Sequence, residues 1–204
     1  MAKINQIESA IQELEGGAFQ KLANSYLLKK GYHQINPIGS VIGNNKTRTG
    51  TPDTLIPLPN GKYVFAEYAT GLVAGICRKF CDDIDKCFDA NKTGISVEKI
   101  EEIVLCYSSQ LSPKEIEQLR KKCETKGVNI NLYGIGVISY DLLEKYPGIA
   151  KDYLGIDVDT GQIVQLDRFI SLYENKLATT LSTAFHFRDE EKNNLDTLRS
   201  VFAG

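Results

Sequence analysis

The stretch GTPDTLIPLPNGKYVFAE, residues 50–67, decides the fold, because it predicts a small β-hairpin with one acidic residue on each strand. If a three-residue turn at 59–61 joins the strands, counting back along both places Asp53 opposite Glu67 on one face. Directly opposed residues lie roughly 4.5 to 5.5 Å apart, and two ionised carboxylates at that distance repel each other. A hard, oxygen-seeking cation such as Mg²⁺ holds both in their charged form. The stretch therefore predicts a metal site in outline.

Two alternatives remain open for this hairpin at the level of sequence. A two-residue turn would place Asp53 and Glu67 on opposite faces of the sheet, where they could not share a cation. An ordinary hairpin whose acids are solvated also satisfies the pattern. The turn length therefore decides whether the two acids share a face, and the plain hairpin stays open beside the metal site.

Composition and charge bound the class of protein. The chain has 204 residues, of which 42% are hydrophobic and 25% charged, as expected for a globular domain of about 150 residues with an appendage. It contains no apolar run of roughly 20 residues and no signal-peptide core, so we expect a cytoplasmic protein without membrane contact. The net charge of −2 is not that of a free-standing nucleic-acid binder. Five cysteines in no CxxC spacing are expected to be reduced core residues, and they lie at Cys77, Cys81, Cys87, Cys106 and Cys123.

Hydrophobic periodicity predicts an α/β fold with a central mixed sheet flanked by helices. Ser112 begins one helix, with Pro113 at its first position and Glu115 closing a capping box. This helix lies between two strands that we expect to be parallel. Pro147 is expected to stop a later helix. The expected helices cover 4–14, 19–30, 71–89, 112–126 and 139–146, with a break at 16–17, and the strands other than the hairpin cover 33–42, 103–107 and 128–133.

The order of these elements resembles the core of the PD-(D/E)XK, or restriction-endonuclease-like, nuclease superfamily. The match covers roughly residues 17–133, and its signature is carried by Thr51-Pro52-Asp53 with Glu67 late in the second hairpin strand. More closely, residues 61–68, 82–89 and 92–95 resemble the amino-terminal effector nuclease domains of bacterial STAND (NACHT-type) NTPases, which act in antiphage defence.

The tail supports the same resemblance. Residues 185–191, FHFRDEE, are similar to the segment with which such NTPase modules begin. The resemblance implies an effector domain at 1–155, followed at 156–204 by a linker and the start of an NTPase module.

The resemblance assigns site residues. Asp53 and Glu67 would bind Mg²⁺ or Mn²⁺, and the backbone carbonyl of Tyr68 would complete the ligand set. Gln20 stands where many members carry a Glu or Gln on the first helix, directed at the attacking water. The alternative for Gln20 is a solvated helix flank, because Phe19 and Leu22 account for the core face.

A departure from the superfamily concerns its lysine. Residues two apart in a strand share a face, so the lysine expected near the scissile phosphate would stand at residue 69, which is Ala69. The best substitute is Lys79 on the following helix, with Lys86 second. Either lysine is otherwise a surface charge, and Lys79 would then pair with Asp83 one turn on.

Lys46 and Arg48 precede the hairpin and are candidate contacts to a phosphate backbone, or incidental charges on a surface loop. The resemblance implies a Mg²⁺-dependent endodeoxyribonuclease that binds double-stranded DNA weakly alone and forms a homo-oligomer through the fused NTPase. The alternative is a catalytically inactive nuclease-fold module for nucleic-acid binding or self-association, suggested by the absent lysine.

Overall fold

The computed structural model describes residues 3–39, 51–71 and 73–158, although not the side chains of residues 73–74. A five-stranded sheet in the order β1-β2-β3-β4-β5 runs through this part of the chain. The first three strands pair antiparallel, and β3, β4 and β5 pair parallel, so the expected mixed α/β sheet is confirmed. The strands are β1 (Asn36–Pro37), β2 (Thr54–Pro57), β3 (Tyr63–Ala69), β4 (Ile100–Tyr107) and β5 (Asn129–Tyr133).

The hairpin of β2 and β3 has the three-residue turn. The Leu58 N–H donates to the Lys62 carbonyl at 2.8 Å, and Gly61 takes the positive φ of +79° that closes the turn. The ladder then pairs Thr54 with Ala66, and one step further places Asp53 opposite Glu67. The register expected from the sequence is confirmed, and the two-residue alternative is wrong.

Seven α-helices and one short 3-10 helix (Val97–Lys99) lie among the described residues, and helices pack on both faces of the sheet. One buried cluster joins the β3 residues Val64, Ala66 and Tyr68 to α1, α2, α6 and α7. The other joins Phe65 and Ala69 to α3 and α5. Because side chains alternate along a strand, Glu67 faces the α3 side with Phe65 and Ala69. The helices are α1 (Lys3–Gln12), α2 (Gly16–Lys29), α3 (Val73–Cys87), α4 (Ala90–Thr93), α5 (Pro113–Glu124), α6 (Ile135–Glu144) and α7 (Pro147–Leu154).

Several expected boundaries are wrong, for identifiable reasons. The glycines at 16–17 lie in the first turn of α2 and do not form a separate break, since first-turn N–H groups have no intrahelical partner in any case. Pro147 begins α7 at a position that suits its fixed φ and its missing N–H. The short α4 was not expected, and among the described residues 33–39 the expected irregular or edge strand is the two-residue edge strand β1. The capping box of Ser112 and Glu115 is confirmed.

All five cysteines are free, four of them buried and Cys81 partly so.

Residues 1–158 form one compact unit, and Val158 still packs in the cluster on the α1 side, three residues beyond the expected boundary at 155. The expected linker and NTPase start lie, apart from residues 156–158, outside the described residues. None of the described helices is long and apolar enough to cross a membrane.

Candidate metal centre

The two hairpin acids meet where β2 begins and β3 approaches its end. Glu67 is only 3% exposed, and its carboxyl group lies within hydrogen-bonding reach of Asp53. The Tyr68 N–H donates to Asp53 Oδ2 at 3.1 Å, which fixes one carboxylate oxygen of Asp53 at the strand. The structure therefore brings together the two acids that the sequence singles out.

Both acids resist ionisation in this environment. Burial raises the pKa of Asp53, although the Tyr68 N–H, the Glu67 carboxyl and the Lys79 charge act to lower it. Burial, then the negative charge of Asp53 and that of Asp83, raise the pKa of Glu67 well above its usual range. A proton shared between the two carboxyl groups would relieve the repulsion, and so would a divalent cation in its place.

The backbone packs closely around Asp53. The Gly39 N–H donates to the Asp53 carbonyl at 2.8 Å, and a Cβ atom at Gly39 would lie 2.6 Å from Asp53 Oδ1. Gln20 reaches the same carbonyl with its Nε2 at 3.3 Å and is 1% exposed. Gln20 is therefore not a solvated helix flank. Its observed contact is with the backbone of Asp53, and a role toward an attacking water stays a prediction.

Lys79 of α3 contacts the carboxyl end of β3, next to the two acids. Its Nζ donates to the Tyr68 carbonyl oxygen at 2.9 Å and to Asp83 Oδ2 at 2.6 Å. The expected ion pair with Asp83 is confirmed, and the contact with β3 is additional. Lys79 thus brings a positive charge to the carboxyl end of β3, where it acts to lower the pKa of Asp53. Ala69 stands on that strand at the position where the resemblance predicts a lysine. Ala69 itself is buried on the α3 side.

Two further residues of α3 belong to this group of side chains and were missed from the sequence. Asp83 is buried and accepts Lys86 Nζ at 2.7 Å on its second oxygen. The Cys87 thiol donates to Glu67 Oε1 at 3.3 Å. Asp83 follows Phe80 by three residues and precedes Cys87 by four, so a charge on the apolar stripe of the helix was the signal that could have revealed it.

The donor set around Asp53 and Glu67 fits a hard divalent cation. Two carboxylates and the Tyr68 carbonyl are all oxygen donors, the type that Mg²⁺ and Mn²⁺ prefer. Burial and the Asp53 charge raise the pKa of Glu67, so ionising both acids together favours a bound cation. Within the described ranges, no three His, Cys, Asp or Glu side chains converge to hold a metal ion, so protein side chains would supply two ligands.

Two candidate residues from the sequence cannot be placed. Lys46 and Arg48 lie outside the described residues, and their contact with a phosphate backbone stays a prediction.

No protein-family model and no curated protein matches the chain.

Proposed function

We propose that this chain is a Mg²⁺- or Mn²⁺-dependent endonuclease of restriction-endonuclease-like fold that cleaves DNA phosphodiester bonds. The observation that carries the proposal is the neighbouring pair Asp53 and Glu67: Glu67 is buried on the α3 side, burial raises the pKa of both carboxyl groups, and the Asp53 charge raises that of Glu67 further. Perturbed carboxyl groups that share one site are typical of catalytic centres. The resemblance stated from the sequence adds the defence context, in which the domain is the effector of an antiphage STAND NTPase.

The residues divide the work of cleavage. Asp53 and Glu67 hold the cation, and the carbonyl oxygen of Tyr68 is the third protein ligand. The chemistry that such an ion supplies when bound is activation of the attacking water and stabilisation of charge on the phosphate oxygens. Lys79 adds a fixed positive charge toward the phosphate, in place of the strand lysine. The side-chain amide of Gln20 donates a hydrogen bond to the backbone carbonyl of Asp53.

Assembly raises activity on DNA in this proposal. With a net charge of −2, the chain neutralises few phosphates and releases few counterions, so one copy binds duplex DNA weakly. A fused NTPase that forms a homo-oligomer brings several copies onto one DNA molecule and raises their effective concentration without a new contact. Cleavage then depends on protein concentration more steeply than one-to-one binding would require.

Nicking of supercoiled plasmid by concentrated protein with Mn²⁺ tests the proposal. The wild type converts the plasmid to open circles, and Asp53→Asn does not. A matched control is Asp85→Asn on α3, where an exposed aspartate pairs with Lys122 away from the hairpin, and it cleaves like the wild type. Intact plasmid with all three proteins contradicts the proposal. Cleavage of a single-stranded RNA in place of the plasmid corrects the substrate and leaves the metal chemistry in place.

A second candidate function is a catalytically inactive nuclease fold used for nucleic-acid binding or self-association. It is favoured by Ala69 and by the Lys79 ammonium, which already donates to the Tyr68 carbonyl that the resemblance gives to the metal. In this case the Lys79 ammonium keeps the Tyr68 carbonyl occupied, and no divalent cation binds. Titration with Mn²⁺ separates the two functions, because only the nuclease binds the ion through Asp53 and Glu67.

A further inference from the structure

Asp83 forms ion pairs with two half-exposed lysines near the carboxyl end of β3. Its Oδ2 accepts from Lys79 and its Oδ1 from Lys86, so each carboxylate oxygen holds one ammonium group. The side chain of Asp83 is nearly buried, whereas Lys79 and Lys86 are 45% and 44% exposed. A buried carboxylate therefore fixes the ends of two long side chains that still face solvent.

The positions held in this way are those that a phosphate-binding group needs. Lys79 Nζ lies 2.9 Å from the carbonyl oxygen of Tyr68, the residue after Glu67. A free lysine loses side-chain entropy when it is held in one place, and this loss opposes binding. Asp83 meets that cost in the folded protein, before any substrate arrives, so the ammonium groups need little rearrangement to meet a phosphate.

The net formal charge of this group of side chains becomes positive when a divalent cation binds. Asp53, Glu67 and Asp83, all ionised, with the two lysines, have a formal charge of minus one. A divalent cation on Asp53 and Glu67 makes the group net positive, which suits an anionic phosphodiester. Removing one lysine would bring the loaded site to neutrality.

We propose that Asp83 is a positioning residue of the nuclease, which holds Lys79 and Lys86 where their ammonium groups meet the scissile phosphate. This inference rests on the proposed function. It assigns to a buried acid of α3, acting through two lysines, the task that a strand lysine performs elsewhere in the superfamily. Asp83 itself touches neither the substrate nor the cation.

Plasmid nicking at saturating Mn²⁺ with Asp83→Asn tests the inference. Asparagine keeps the shape of the side chain but removes the charge that holds both lysines, and the expected loss of rate is about 10- to 100-fold. The Asp83→Glu variant, which keeps the charge, recovers part of the rate. Asp85→Asn, with the same chemical change on an exposed part of the helix, retains the wild-type rate.

A double-mutant cycle shows whether Asp83 acts through the lysines. Against a Lys79→Met, Lys86→Met background, Asp83→Asn changes the rate less than about twofold, since no ammonium remains to be positioned. An equal loss in both backgrounds overturns the inference and leaves a structural role for Asp83.

The outcomes also separate this inference from the proposed function. A wild type that neither binds Mn²⁺ nor nicks the plasmid refutes both. A wild type that cleaves, with Asp83→Asn cleaving equally fast, refutes the positioning role alone. If Asp83→Asn does not fold, Lys79→Met and Lys86→Met decide: each must lower the rate at saturating Mn²⁺, and wild-type rates for both overturn the inference.

Discussion

Replacing Glu67 by Gln is expected to stabilise the metal-free protein increasingly as the pH rises. Burial and the Asp53 charge raise the pKa of Glu67 in the folded state well above its value in the unfolded chain. Between those two pKa values the folded state binds more protons than the unfolded state, so the free energy of unfolding falls as pH rises. The glutamine side chain of the Glu67→Gln variant has no proton to lose, and its amide can still donate to Asp53.

The size of the effect follows from the geometry of the pair. One linked proton gives a slope of about 1.4 kcal/mol per pH unit between the two pKa values. Directly opposed side chains have Cβ atoms roughly 5 Å apart, and two unit charges at that separation repel each other by about 3 kcal/mol at an effective dielectric constant of about 20. The free-energy difference between Glu67→Gln and wild type therefore grows from near zero below about pH 4 to about 3 kcal/mol once Glu67 is ionised, with the desolvation of the carboxylate adding to it.

Urea unfolding in a chelator, followed by circular dichroism at several pH values from about 4 to about 9, measures this difference. Asp85→Asn, a carboxylate-to-amide change at an exposed position of α3, is the control and should not reproduce the effect. Saturating Mg²⁺ should stabilise the wild type and the Asp85→Asn control but not Glu67→Gln, since only the first two retain both acids. A Glu67→Gln variant that is less stable than wild type by the same amount at every pH would refute the reasoning.

Three further substitutions test the surroundings of the site. Gly39→Ala is expected to destabilise the protein by about 1–3 kcal/mol and to weaken Mn²⁺ binding, because the added Cβ would overlap the Asp53 carboxylate. Urea unfolding and calorimetry measure the two effects. The control Gly136→Ala in α6, where nothing lies within 4 Å of the added Cβ, should show neither. Ser112→Ala removes the cap of α5 and costs about 1 kcal/mol in urea unfolding, with Mn²⁺ affinity unchanged. Tyr68→Phe loses the hydrogen bond that its hydroxyl donates to α2 and costs about 1 kcal/mol, whereas a cost near zero would show that this bond has no net value.

The sequence predicted the hairpin geometry because local rules determine it. A three-residue turn ending at Gly61 fixes the register, and the period of two in a strand then places Asp53 opposite Glu67. The capping box at Ser112 is equally local. The mixed sheet followed from the order of the elements, although the finer assignment to a restriction-endonuclease-like core stays a proposal.

Tertiary packing decided what the sequence could not show. Periodicity placed Phe19 and Leu22 on the core-facing side of α2 but gave no reason for Gln20 to be buried. Gln20 is buried because its side-chain amide contacts the backbone carbonyl of Asp53. Periodicity treated Asp83 as half of a surface ion pair, whereas the side chain lies on the apolar stripe of α3 beneath the end of β3. Such burial depends on which helix covers which strand, and no window of one helix contains that information.

Calorimetric titration of the metal-free protein with Mn²⁺ tests the central claim that Asp53 and Glu67 share a cation. The wild type is expected to bind one ion and to release protons as it does so, with affinity that increases as the pH rises, because the ion displaces the proton held by the raised pKa of Glu67. Asp53→Asn and Glu67→Gln should each abolish binding, whereas Asp85→Asn should not. A wild type that binds no ion, or binding that survives in both site variants, would contradict the account.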